Sequence, residues 1–257
     1  MFHAIFQLSP PHTKHNCNLF PDLSLSKSVL IAAIVGLLVG CTAGANAIFN
    51  TVQSVAFSNG AAVDQTALNP NFRYLRVTID GRVALLALGD IDSNSRGQVE
   101  VWYSAQREVL RFQDGRLIGA AGLITEWRNV EFADLPSWSS LKARRQSAEW
   151  TRTRDVMPGY RFGIRDRLVV ISTQAPSSSS LSGIDPAKFT WFEERVGQLD
   201  EAGQFRLIAL KNPDDALPPS RYAVDYSGSN PIVVYGEQCL KPTFCFSWQR
   251  WPVNSQG

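Results

Sequence analysis

The sequence predicts a mainly β protein, an antiparallel meander, sandwich or set of barrel-like lobes with few short helices. Three observations carry this. Short runs alternate apolar and polar residues at the period of two that a half-buried strand needs, as in Gln98-Val99-Glu100-Val101-Trp102-Tyr103-Ser104. Glycine-bearing turns separate such runs, foremost Asp80-Gly81 and Asp114-Gly115. No long stretch shows helical periodicity, a heptad or an internal repeat.

Taken in order, the ordered part begins at Phe72. Tyr74-Leu75-Arg76-Val77-Thr78-Ile79 reads as a strand, and Asp80-Gly81 as a type I′ turn, because glycine accepts the positive φ such a turn needs. Arg82 to Leu88 returns as its partner. Asp90 to Gly97 reads as a polar loop. The Gln98 to Ser104 strand, Glu108 to Phe112 and Arg116 to Ile118 then make a meander around Asp114-Gly115. Gly119 and Gly122 mark a bulge or a close approach. Pro136 to Arg145 is a connection with one helical turn. Glu149 to Arg154 reads as a strand with a charged outer face, Met157-Pro158-Gly159-Tyr160 as a turn, and Leu168 to Ile171 as a buried strand.

Ala175 to Gly183 is serine-rich, which predicts an exposed, mobile loop and, as one option, a boundary between two lobes near 175–187. Lys188 to Gln198 and Gln204 to Lys211 bracket a turn at Asp200-Glu201-Ala202-Gly203. Pro213, Pro218 and Pro219 make the next stretch a loop. Arg221 to Tyr226 and Pro231 to Tyr235 read as strands, and an aromatic segment, Phe244 to Trp251, ends the chain.

The N-terminus carries a different signal. Lys27 precedes an apolar run from Val29 to Val39, and Leu38-Val39-Gly40-Cys41 follows the pattern of a bacterial lipobox. The run is too short to span a bilayer, which takes about 20 apolar residues. Small Val39 and Gly40 let a peptidase approach the backbone, and the Cys41 thiol takes a diacylglyceryl group. Residues 1–40 are therefore expected to be leader and signal peptide, with 1–24 an over-extended start as one option. Residues 41–71 form a lipidated tether and 72–257 a mainly β periplasmic domain, long enough to bury a real core. Each buried CH₂ of an acyl chain contributes about 0.8 kcal/mol, so the anchor holds. Thr42, where an Asp would resemble an inner-membrane retention signal, favours the outer membrane.

Composition then excludes several classes of function. The chain has 25 basic and 23 acidic residues, which gives no argument for nucleic acid. Its three histidines, His3, His12 and His15, all precede Cys41, so the exported part has none. That removes Ser-His-Asp and Cys-His catalysis and histidine-zinc sites, and no metal or cofactor is expected. There is no P-loop and no Gly-x-Gly-x-x-Gly. Cys239 and Cys245 flank the turn signal Lys241-Pro242 and are expected to form a small-loop disulfide in an oxidising compartment.

Two classes of site residue remain. Asp90, Asp92, Asp114, Asp155, Glu193 and Glu194 are the candidates for a carboxylate pair. Asp90 and Asp92, with Asn94, could also hold calcium, though without the spacing of a known loop. Trp102, Trp127, Trp138, Trp150, Trp191, Trp248 and Trp251 either fill the core or stack on sugar rings. Trp248 and Trp251, beside Arg250, are the candidate glycan-binding cluster.

The order of these segments resembles a known family. After the lipobox come Tyr74-Leu75-Arg76-Val77, Val101-Trp102-Tyr103-Ser104, Glu108-Val109-Leu110, Asp114-Gly115-Arg116-Leu117-Ile118 and Gly122-Leu123. Together they resemble the group 4 capsule polysaccharide lipoprotein family of the GfcB/YjbF type. The resemblance implies a mainly β lipoprotein of the outer membrane, facing the periplasm, with a role in assembling or exporting polysaccharide and no catalytic residues. Its expected partners are the membrane, through the lipid anchor, and polysaccharide or polysaccharide-export proteins. The alternatives are a glycan hydrolase or lyase using carboxylates or tyrosines, and a general envelope scaffold.

Overall fold

The computed structural model describes residues 60–144 and 147–252. A short helix, α1 (Gly60–Asp64), leads into strands β1 (Tyr74–Ile79), β2 (Arg82–Asn94), β3 (Gly97–Tyr103), β4 (Val109–Gln113), β5 (Arg116–Ala121) and β6 (Glu126–Ala133). Helix α2 (Trp138–Arg144) is followed by β7 (Ala148–Met157), β8 (Arg161–Thr173), β9 (Thr190–Val196), β10 (Gln198–Leu199) and β11 (Phe205–Arg206). The chain continues through β12 (Ser220–Asp225), β13 (Ile232–Lys241) and β14 (Phe244–Trp251).

All but β10 and β11 join one closed barrel, in the order β1-β14-β13-β12-β9-β8-β7-β6-β5-β4-β3-β2. The barrel closes where β14 pairs antiparallel with β1, Tyr74 opposite Trp251 and Thr78 opposite Ser247. Closure removes the open sheet edges that would invite pairing with other chains. The turns work as their residues predict. Asp80 and Gly81, and Asp114 and Gly115, all adopt positive φ, at 49°, 73°, 49° and 74°.

Alternation turns one face of each strand inward. Leu75, Val77, Trp102, Leu110, Phe112, Trp127, Trp150, Phe192 and Trp248 belong to one continuous buried cluster. Helix α2 adds Trp138 to that cluster, with its ring centroid 5.4 Å from those of Phe192 and Tyr222. Trp138 Nε1 donates to the Asp114 carbonyl at 2.8 Å, and Tyr226 Oη donates to the Trp138 carbonyl at 2.7 Å.

Two segments cover the outer face. α1 lays Val63 on Tyr74, Val83, Leu85 and Ala87. Residues 174–189 form a strap over β13 and β14, placing Leu181 and Phe189 against Trp191, Val234 and Tyr235. The strap is pinned by Ser180 N donating to Tyr235 Oη at 2.9 Å and by a reciprocal pair between Ser182 and Gln249 at 2.8 Å. Asp64 ties both covers together, accepting from Arg76 Nε at 3.0 Å and Ser182 Oγ at 3.2 Å.

Two local expectations are corrected. The stretch Asp90 to Asn94 is strand, not loop, because β2 continues to Asn94 and pairs with β3. The charged face of Glu149 to Arg154 points inward: Trp150, Arg152 and Arg154 are buried while Glu149 is exposed.

Candidate functional site

The charges inside the barrel set the chemistry that is available. Counting by two from Trp150 carries Arg152 and Arg154 to the inner face of β7. They meet Asp166 of β8, whose carboxylate accepts from Arg152 Nε at 2.9 Å and from Arg154 Nε at 2.7 Å. Burial works against the charged form of Asp166, but the two guanidiniums outweigh it and hold its pKa below the usual aspartate range. Arg154 also donates to Asp215 at 3.0 Å, and Arg161 pairs with the same carboxylate. Asp215 ends a 3₁₀ turn, Pro213–Asp215, capped by the Asn212 side chain. The Trp127 ring lies 4.4 Å from the Arg152 guanidinium carbon and 4.8 Å from that of Arg154.

A second charge pair lies across the barrel. Arg116 Nε donates to Glu194 Oε1 at 2.9 Å, with both side chains at most 2% exposed. The guanidinium stacks 3.8 Å from the Trp138 ring, and its terminal nitrogens find no hydrogen-bond partner among the described residues. Arg116 is thus the residue that the Asp114-Gly115 turn sends into the core.

A concavity also lies outside the barrel. It is a groove of about 580 Å³ whose lining includes Ser178, Ser179, Pro218, Pro219, Arg221 and Glu237. The strap supplies the serines and the loop before β12 the prolines. Arg221 bridges Glu193 and Glu237, at 3.3 Å each. Tyr235 donates to Glu237 at 2.6 Å, and burial first, then the nearby Glu237, raises the tyrosine pKa. A smaller cleft of about 190 Å³ lies among Thr125, Arg154, Met157, Arg161, Asp214 and Lys241.

The sequence-derived site residues are dispersed. Cys41 lies outside the described residues. Cys239 and Cys245 are disulfide-bonded, their Cα atoms 3.9 Å apart. The proposed glycan-binding cluster of Trp248, Arg250 and Trp251 does not form. Alternation along β14 puts Trp248 in the core, 1% exposed and 4.8 Å from the Phe112 ring. Arg250 is locked to Glu100 through two bonds of 3.0 and 2.9 Å, and donates to the Val233 carbonyl. Trp251 is half-buried against the cluster that holds Tyr74. Of the other tryptophans, Trp102, Trp127, Trp138, Trp150 and Trp191 are all buried.

The carboxylates do not converge either. Glu194 is committed to Arg116, and Glu193 to Arg195 and Arg221. Asp155 accepts from Asn129 and from the Gly163 amide, and Asp92 from Arg111. Asp90 is exposed on β2, and Asp114 sits at its turn. Asn94 bonds Gln113 across to β4, and no metal-ligating cluster of acidic, cysteine or histidine side chains occurs among the described residues. Sequence reasoning missed the groove, because it is assembled from the strap, the loop before β12 and residues of four strands, β1, β12, β13 and β14, drawn from separate parts of the chain. It also missed the inward Arg152 and Arg154, although the two-residue step from Trp150 was there to be followed.

The structure is similar to the crystal structure of the hypothetical lipoprotein YmcC from Escherichia coli (K12), at 12% identity and a TM-score of 0.48, covering 91% of this chain and 98% of that one. No curated protein matches the chain. The family model described as group 4 capsule polysaccharide lipoprotein gfcB, YjbF matches residues 55–205, more than half of the sequence. The chain belongs to the group 4 capsule polysaccharide lipoprotein family of the GfcB/YjbF type.

Proposed function

We propose that the chain is an outer-membrane lipoprotein, acylated on Cys41 and facing the periplasm, that acts as a non-enzymatic accessory in the assembly or export of capsule or exopolysaccharide. The family match over 55–205 carries the reading. The lipobox supplies the anchor, and the Cys239–Cys245 disulfide suits an oxidising compartment. The outer face of the barrel is charged, with Glu149, Arg165, Arg167 and Arg195 exposed along its strands. Facing lipid, an arginine at the bilayer midplane would cost about 2–4 kcal/mol. Such a barrel suits an aqueous space, held to the membrane by its acyl chains. Its partners are then the polymer or the proteins that export it.

A hydrolase or lyase would need two acids facing an open cleft at a working separation. Here Glu193 and Glu237 are bridged by Arg221, and Glu194 is closed inside the barrel. Two experiments test the reading. Incubating the purified lipoprotein with the native polysaccharide is expected to leave its chain length unchanged, whereas shortening would establish an enzyme. Density-gradient fractionation is expected to place the wild type, labelled by radioactive palmitate, in the outer membrane. A Cys41→Ser variant that stayed there and took up label would refute the anchor.

A further inference from the structure

The groove on the outer face carries features that the accessory role does not by itself require. One wall is the strap, held at Ser180 and Ser182 by bonds to Tyr235 and Gln249. Ser178 and Ser179 stand just before those anchors and line the groove, and no described group takes up their hydroxyls. The opposite wall includes Pro218 and Pro219, which offer C–H surface. Between them lies the Arg221–Glu237 pair, a donor fork beside an acceptor, both partly open to solvent. Each is braced from behind, Glu237 by Tyr235 and Arg221 by Glu193, so the fork is held before any ligand arrives. Its volume, about 580 Å³, lies in the range of small-ligand sites.

The charge in this groove selects the ligand. Among the described residues that line it, Arg221 is the one cation and it is paired with Glu237; the second carboxylate it touches, Glu193, is shared with Arg195. Exposed Asp80 adds a further acid to the lining. A sugar carboxylate would meet surplus negative charge, whereas a sugar hydroxyl can both donate to Glu237 and accept from Arg221 or a serine. Resting on the polysaccharide reading above, we infer that this groove is a glycan-binding subsite for uncharged sugar residues, with the Arg221–Glu237 fork and the Ser178–Ser179 wall as its polar contacts. Sugar rings would lie with their C–H faces toward Pro218 and Pro219.

The test uses the detergent-solubilised lipoprotein and the polymer extracted from the surface of the expressing strain. The polymer is used native and after carbodiimide-borohydride reduction, which converts uronate carboxyls to alcohols. Binding is measured by calorimetry. The inference expects the reduced polymer to bind at least as tightly as the native one. Ser178→Trp, which fills the groove from an exposed position, is expected to abolish binding with the melting temperature unchanged. Arg221→Lys, which keeps the charge and loses the fork, should weaken it at least tenfold. Loss of binding on carboxyl reduction, binding untouched by Ser178→Trp, or no binding of either polymer would overturn the inference. The polysaccharide reading is scored separately, by surface polymer in a deletion strain, so the two can fail independently.

Discussion

Arg116 and Glu194 form a pair sealed among aromatic rings, and such a pair is costly to halve. Glu194→Gln or Arg116→Met alone is expected to cost about 3–5 kcal/mol, because each strands a buried polar group. The double variant Arg116→Met with Glu194→Leu should recover most of that loss, and urea unfolding of the three variants checks it. Asp166 adds a pH dependence. Its folded pKa is depressed by Arg152 and Arg154, so its stabilisation is present above the unfolded value of about 3.9 and is lost as pH falls through the folded value. Asp166→Asn should therefore flatten the acid limb of the stability curve while lowering stability at neutral pH. Gly115 is fixed by both backbone and space: its φ is +74°, and a Cβ there would lie 2.4 Å from Val233. Gly115→Ala is expected to destabilise by about 1–3 kcal/mol. At this scale the sequence was legible where a residue type demands a conformation, as in Asp114-Gly115. It was misread for Arg152 and Arg154, because the rule that a strand's charged face points to water was set above their two-residue step from Trp150. Only their partners on β8 and the 213–215 turn, distant in sequence, make the inward direction affordable.

Among elements, α2 and the strap convert a strand count into a specific object. α2 delivers Trp138 to the core and is tied down by Tyr226, whose hydroxyl pKa is pushed up to about 12 by burial and by Asp114. Trp138→Ala should cost about 3–5 kcal/mol, and Tyr226→Phe about 1 kcal/mol, measured by chemical denaturation. The strap makes a kinetic prediction. Amides of Ser180 and Ser182 are expected to show hydrogen-exchange protection, and Tyr235→Phe should remove it at Ser180 while sparing Ser182. Fast exchange at both in the wild type would return the segment to a free loop. The strands and hairpins were legible because their period and turn chemistry are local. The strap was not: its serines read as linker, and the anchors that hold it, Tyr235 and Gln249, lie more than fifty residues further along the chain.

For the whole molecule, one pairing decides the architecture. β1 and β14 come from opposite ends of the described chain, and their antiparallel register turns a meander into a barrel. Alternating residues foretold β strands, while closure rests on a contact that no local pattern encodes, which is why sandwich and barrel stayed equal options in the sequence. Charges such as Arg165, Arg167 and Arg195 stand on the outer face, where a lipid-facing barrel is apolar, and the acylated Cys41 is the proposed link to the membrane. The central claim is that this tethered barrel serves polysaccharide secretion. The most direct test is surface polysaccharide in a clean deletion strain, complemented with wild type or with Cys41→Ser. The account predicts that polymer falls on deletion and returns only with the lipidated form. Unchanged polymer in the deletion strain, under conditions that express the pathway, would contradict it.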